Sequence, residues 1–121
     1  MKNKFLFLVS FLLISCNPAR DDTYGPKIKA KLIRVTCATT VIQVTDSGFY
    51  SLGETWAIHG TTDTVEHAAQ VFNKCEFPAT IQEGTEFYFK QIHAADANNH
   101  CAVCALYDYP PVKGIYLRVV N

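Results

Sequence analysis

The chain has 121 residues, 49% of them apolar, with 11 Lys+Arg against 11 Asp+Glu and five cysteines. That length excludes a multidomain enzyme and allows one core of ordinary domain size. The balanced charge carries no polybasic footprint, so nucleic acid is not an expected partner.

Met1-Lys2-Asn3-Lys4 holds two positive charges and precedes an apolar run, Phe5 to Ile14, broken only by Ser10. Ten helical residues rise about 15 Å, half the hydrocarbon thickness of a bilayer, so the run is too short to span. A basic start, a short apolar stretch and small residues after it form the pattern of an export signal. The other reading, a buried N-terminal helix, would want polar positions at helical spacing, and the run has none.

Leu13-Ile14-Ser15-Cys16 closes this run. It resembles the lipobox of bacterial lipoproteins, in which a branched apolar residue and a small residue precede the cysteine that becomes the mature N-terminus. The resemblance covers residues 1–16. It implies a signal peptide over 1–15, a diacylglyceryl thioether on Cys16 and an acylated α-amino group. Several acyl chains anchor stably where one would not. The implied partner is thus a lipid bilayer, and the implied location is the bacterial cell envelope. Asn17 stands where Asp would favour inner-membrane retention under the enteric sorting rule, which leans towards the outer membrane. Asp21-Asp22 is similar to the acidic signals that send some lipoproteins to the cell surface.

Residues 16–26 are then a lipidated cysteine and a tether, with Pro18, Gly25 and Pro26 as breakers. Ten extended residues reach at most about 35 Å. Without Lys2 and Lys4 the remaining chain has 9 basic and 11 acidic residues. Anionic headgroups would not attract it.

Residues 27–121 read as one small β domain. Ile28 to Thr36 alternates apolar and basic residues, then slips phase after Leu32-Ile33, which predicts a bulged strand. Thr39 to Thr45 is almost wholly β-branched and ends in the turn chemistry of Asp46-Ser47-Gly48. Phe49, Tyr50 and Leu52 make a second apolar stretch, and Trp56 to His59 a short strand. In Asp63 to Phe72, Asp63 and Glu66 have capping-box spacing, while Val65, Ala68, Ala69 and Phe72 share a helical face. A short helix is expected there, with a strand from Val71-Phe72 to Cys75 as the other reading. Thr85 to Ile92 is a strand with Phe87 and Phe89 on one side and Tyr88 on the other. His93 to His100 is a loop, Ala102 to Tyr107 a candidate strand, and Asp108 to Lys113 a loop. A last strand follows Gly114, with Ile115, Leu117 and Val119 inward and Tyr116 and Arg118 outward.

Five to six short strands and one short helix predict a mainly β fold, a small antiparallel barrel with OB-like order. An Ig-like sandwich is the alternative, without the Cys–Trp–Cys spacing of antibody domains.

With Cys16 assigned to lipid, Cys37, Cys75, Cys101 and Cys104 remain, an even number fit for disulfides in an exported domain. Three pairings are open. In a straight strand Cys101 and Cys104 would stand about 10 Å apart, beyond the roughly 7 Å limit, so bridging them demands a turn. Otherwise each pairs elsewhere, with Cys37 and Cys75. Thiol exchange at Cys101-Ala102-Val103-Cys104 is a second reading, but no helix follows to lower a thiol pKa. Metal is the third: four thiols, or Cys101 and Cys104 with His93 or His100, would suit zinc or copper. His100 is on the wrong side of the pair for c-type haem.

Other groupings are weaker. Asp96, Asn98 and Asn99 lack the closing acid and the glycine of a calcium loop. Glu54, Glu83 and Glu86 have no spacing that gathers them, and Ser47 and Ser51 lack a nucleophile-elbow context. Tyr88, Tyr109 and Tyr116 are candidates to stack on a sugar or a base. The expectation is a lipid-anchored, disulfide-stapled β domain that binds an envelope protein or a small ligand, or scaffolds. Neither catalysis nor a cofactor is expected.

Overall fold

A computed structural model describes residues 24–121; the expected signal segment and Cys16 lie outside the described residues. The strands are β1 (Ile28–Val35), β2 (Thr40–Val44), β3 (Glu54–Ala57), β4 (Thr64–Val71), β5 (Glu86–Gln91), β6 (Gly114–Ile115) and β7 (Leu117–Val120). All seven belong to one mainly antiparallel sheet, ordered β3-β4-β2-β1-β5-β7, with β6 paired in parallel to β4. One sheet, not two facing ones, replaces the alternative of an Ig-like sandwich.

β1 buries Ile28, Ala30 and Leu32 on one face, and its register to β2 shifts between Leu32 and Arg34, where the phase of the sequence slips. The bulge turns Ile33 to the opposite face, so one strand serves both sides of the sheet. On β5, Phe87 and Phe89 are buried and Tyr88 is exposed. Ile115 and Leu117 are buried inward, as the last strand predicts.

Two expectations are overturned. Residues 63–72 form no helix: Thr64–Val71 is β4, paired to both β2 and β3. The helical spacing has two causes. His67 sits at a left-handed φ of 57°, which breaks the alternation. Beyond it the strand is covered on both faces: Ala69 and Val71 enter the main core, while Ala68 packs with Val41 and Trp56 in a second cluster. Nor is Ala102 to Tyr107 a strand; it belongs to an irregular loop between Gln91 and Gly114. Cys101 and Cys104 are tied to different elements there, and that geometry defeats an extended ladder. The helical turns among the described residues are short 3-10 turns, at Ser47–Leu52, Lys74–Glu76 and Ala94–Asp96. The first of these holds Phe49, Tyr50 and Leu52, and Asp46 caps it by accepting from the Gly48 amide at 3.3 Å.

β6 and β7 are separated only by Tyr116, which is why one expected strand becomes two. This strip is bonded on both sides. Gln70 donates to the Lys113 carbonyl and Phe72 to the Ile115 carbonyl, both at 2.9 Å, while β7 pairs with β5 from Tyr88↔Val120 to Gln91↔Leu117. The main core fills the space inside, with Phe89, Ile28, Leu32, Ile42 and Val44 at its centre. The second, smaller cluster lies on the outer face of β2, β4 and β3.

Candidate functional site

The feature that the fold positions with most care is the loop before β6. Its start is held by Asn99, whose Oδ1 accepts from the Cys75 amide and whose Nδ2 donates to the Phe72 carbonyl, both at 3.1 Å. Two disulfides follow, Cys75–Cys101 and Cys37–Cys104, each with Cα atoms 5.6 Å apart. The close pair Cys101 and Cys104 thus does not bridge itself. Lys74 donates to the Cys37 carbonyl at 2.6 Å, so the turn after β1 and the turn after β4 meet beneath both bridges.

Asp108 is the loop's buried anchor, 7% exposed. Its carboxylate accepts from Thr36 Oγ1 at 2.6 Å and from Thr39 Oγ1 at 2.8 Å. Burial opposes the charge, but the Thr36 and Thr39 hydroxyls, with Arg34 more distantly, outweigh it and hold the carboxyl below its ordinary pKa. This grouping ties the loop to the turn after β1. Further on, Trp56 Nε1 donates to the Tyr109 carbonyl and Gln70 Nε2 to the Pro111 carbonyl, both at 2.8 Å. Glu54 accepts from the Val112 and Lys113 amides.

Against this inward fastening stands what the loop shows outside. Val103, Leu106, Tyr107, Tyr109 and Val112 are 56%, 61%, 70%, 54% and 85% exposed. Tyr109 is held at a φ of 53°, a conformation that costs a non-glycine residue about 1–3 kcal/mol. Its ring leans on His59 at 4.5 Å and meets Tyr107 edge-on at 4.7 Å. Close by is a hollow of about 450 Å³ whose wall mixes Val103, Leu106, Tyr107 and Val112 with Thr39, Gln70 and Asp108. A second, larger groove of about 610 Å³ lies between the end of β1 and the segment Phe77 to Glu83. Its charged residues are spent on backbone: Glu83 accepts from the Val35 amide at 2.8 Å, and Lys74 is bonded as above.

The other candidate residues fall elsewhere. Tyr88 lies on β5 with the Lys27 ammonium 4.9 Å above its ring, and Tyr116 packs on Phe72. Asp96 accepts from the Tyr24 hydroxyl, and Glu86 pairs with Lys29 at 3.2 Å. His93 sits by Tyr24, and His100 is exposed. Among the described residues no three His, Cys, Asp or Glu side chains converge as metal ligands would, and all four cysteines are in bridges. Among them, too, no helix is long and apolar enough to cross a membrane. Sequence reasoning passed over Thr36, Thr39, Asp108 and Trp56. Thr36 and Thr39 flank Cys37 and Asp108 lies in the loop, which means nothing until the bridges are known, and Trp56 carries no signal of its own beyond its strand.

Compared with protein-family models, curated proteins and solved structures, the chain matches none.

Proposed function

We propose that this protein is a lipid-anchored bacterial envelope lipoprotein whose β domain is a binding module. It is tethered through acylated Cys16, on the outer membrane, and its contact surface is the stapled loop of residues 101–112. One observation carries the reading. Two disulfides, a buried carboxylate and the Trp56, Gln70 and Glu54 side chains rigidify a loop whose outer side chains are apolar and exposed. Preorganising a segment before it meets a partner lowers the entropic cost of association. A loop with no partner would need neither the strain at Tyr109 nor the exposure of Leu106 and Tyr107.

The scaffold under this reading is a small OB-like barrel. The strip Lys113–Val120 bonds to β4 on one side and to β5 on the other, and this supports a ring β1-β2-β4-β6/β7-β5 that returns to β1. In that ring a 3-10 turn stands where OB-like order has a helix.

The anchor is tested by fatty-acid labelling: Cys16→Ala should abolish incorporation, and labelling that persists refutes it. The binding surface is tested in intact cells with a photo-cross-linking residue at Tyr107 or, as a control, at Tyr88. A discrete adduct from Tyr107 alone is expected; equal adducts, or none, would overturn the assignment of the loop.

A further inference from the structure

Resting on the reading of the chain as lipid-anchored, we propose that the outer face of β1, β5 and β7 is a second contact surface, which beds the domain on anionic phospholipid headgroups.

The balanced charge of the whole chain conceals a segregation that the fold creates. Ile28, Ala30 and Leu32 turn inward on β1, so Lys29 and Lys31 turn out. On β5, Tyr88 and Lys90 alternate with the buried Phe87 and Phe89. On β7, Arg118 stands between Leu117 and Val119, which both pack on the core. Register sets these outward residues side by side: Lys29 is opposite Tyr88, Tyr88 opposite Val120, and Lys90 opposite Arg118. Lys27 completes the group, with its ammonium 4.9 Å from the centre of the Tyr88 ring. Lys27, Lys29, Lys31, Lys90 and Arg118 thus share the face with one acid, Glu86, which pairs with Lys29 at 3.2 Å. Glu76 and Asp96 border it beside Arg118 and Tyr24. Elsewhere among the described residues the sign reverses, with Arg34, Lys74 and Lys113 against Asp46, Glu54, Asp63, Glu66, Glu83 and Asp108. The expectation that anionic headgroups would not attract the chain holds for its sum and not for this face.

The tether enters on the same side. Tyr24, the first described residue, has the Arg118 guanidinium 5.5 Å from its ring centre, and Lys27 follows three positions on. From Cys16 to Tyr24 the leash can extend at most about 28 Å. It emerges beside these cations and away from the stapled loop. That loop is pinned at Thr36 and Cys37, past the far end of β1, an eight-residue strand about 26 Å long. Bedding this face on the bilayer therefore leaves the loop pointing to where a partner can reach it.

Each Lys or Arg close to an anionic membrane strengthens attachment about fivefold. With Glu86 offsetting one charge, such a face holds a free domain weakly, but a short leash keeps it at an effective concentration on the order of millimolar. An acidic protein would have to be met by diffusion, whereas the bilayer is held beside this face. Neither hollow is lined by any of these residues, so the face is an open array of cations and no cleft for a single anion. Such an array suits a fluid sheet of like headgroups. Tyr88, 42% exposed at its centre, has the apolar body and polar tip that the headgroup layer favours.

The test uses the full lipidated protein in vesicles of pure phosphatidylcholine or of phosphatidylcholine mixed with phosphatidylglycerol, both carrying a headgroup spin label that quenches tryptophan. The chain's one tryptophan, Trp56, is buried and supplies the baseline. Tyr88→Trp should add an emission that is quenched in the anionic vesicles, released by high salt and unquenched in pure phosphatidylcholine. Tyr107→Trp, on the loop, should add an emission that neither vesicle quenches. In the Tyr88→Trp background, Lys27→Gln with Lys31→Gln should lower the ratio of docked to undocked protein about thirtyfold, with both disulfides kept. Glu86→Gln should raise it about fivefold, a gain that damage to the fold would not give. Protein that floats with both vesicles but shows no added quenching at Tyr88→Trp overturns the proposal and leaves the anchor standing. Quenching that ignores salt or lipid charge, or that appears at Tyr107→Trp instead, also overturns it. Protein that floats with neither vesicle overturns the anchor, and this inference with it.

Discussion

The side-chain amide of Asn73 pairs with both backbone groups of Leu117. Its Nδ2 donates to the Leu117 carbonyl at 2.7 Å, and its Oδ1 accepts from the Leu117 amide at 3.0 Å. Asn73 lies two residues past the end of β4 and is 1% exposed, so a side chain supplies the next rung after the Phe72 amide, where the backbone stops reaching the last strand. Truncation to Asn73→Ala would strand two buried backbone groups. The expected loss is about 2–4 kcal/mol, read as a lower urea midpoint with an unchanged slope. Asn73→Asp, which keeps the acceptor and loses the donor, should also destabilise, because it puts a charge into that seam.

The two bridges differ in the chain that they close. Cys37–Cys104 spans 67 residues and Cys75–Cys101 spans 26. In the chain-entropy model these are worth about 4.4 and about 3.5 kcal/mol, so paired Ser substitutions of the longer bridge should cost about 1 kcal/mol more. Thermal unfolding of both double variants under oxidising conditions checks the order.

Asp108 makes stability depend on acid. Its carboxyl is held below the ordinary value of about 3.9, so the folded state favours the charged form more than the unfolded chain does. That contribution is whole above the unfolded pKa and is lost as pH falls through the depressed folded value. Wild-type protein should therefore lose thermal stability below about pH 4 more steeply than Asp108→Asn does. Above pH 5 the Asn variant should be less stable by about 1–3 kcal/mol, since Thr36 and Thr39 then share a weaker acceptor. Equal acid slopes would rule out this role for Asp108.

Two glycines mark close approaches of unequal severity. A Cβ at Gly53 would collide with the backbone of His67, whereas one at Gly114 would collide only with the ring of Phe72. Phe72 is 39% exposed and can swing outward; a backbone in mid-strand cannot. Gly53→Ala should thus cost about 3 kcal/mol or more, and Gly114→Ala about 1 kcal/mol, by chemical denaturation.

Much of the core was legible without coordinates. Ile28, Ala30 and Leu32 alternate with lysines, and Phe87 and Phe89 flank Tyr88, so each strand's own pattern announces which face is buried. The slip at Leu32-Ile33 announced the bulge as well. β4 was illegible for a physical reason: a strand buried on both faces and broken by a left-handed His67 loses the alternation that a strand is recognised by. What remained was a spacing of three and four, which is the mark of a helix.

Sequence alone determined the alternating faces, because those are properties of neighbours along the chain. It also carried the expectation of a lipid anchor, on residues outside those that the structure describes. Only the tertiary structure decided which cysteines pair, that residues 101–112 are an exposed and fastened loop, and that Asp108, Trp56 and Asn73 hold it and the adjoining seam. Asp108 meets Thr36 across 72 positions and Trp56 meets Tyr109 across 53. Contacts that distant depend on how the whole sheet folds, and no local pattern encodes them.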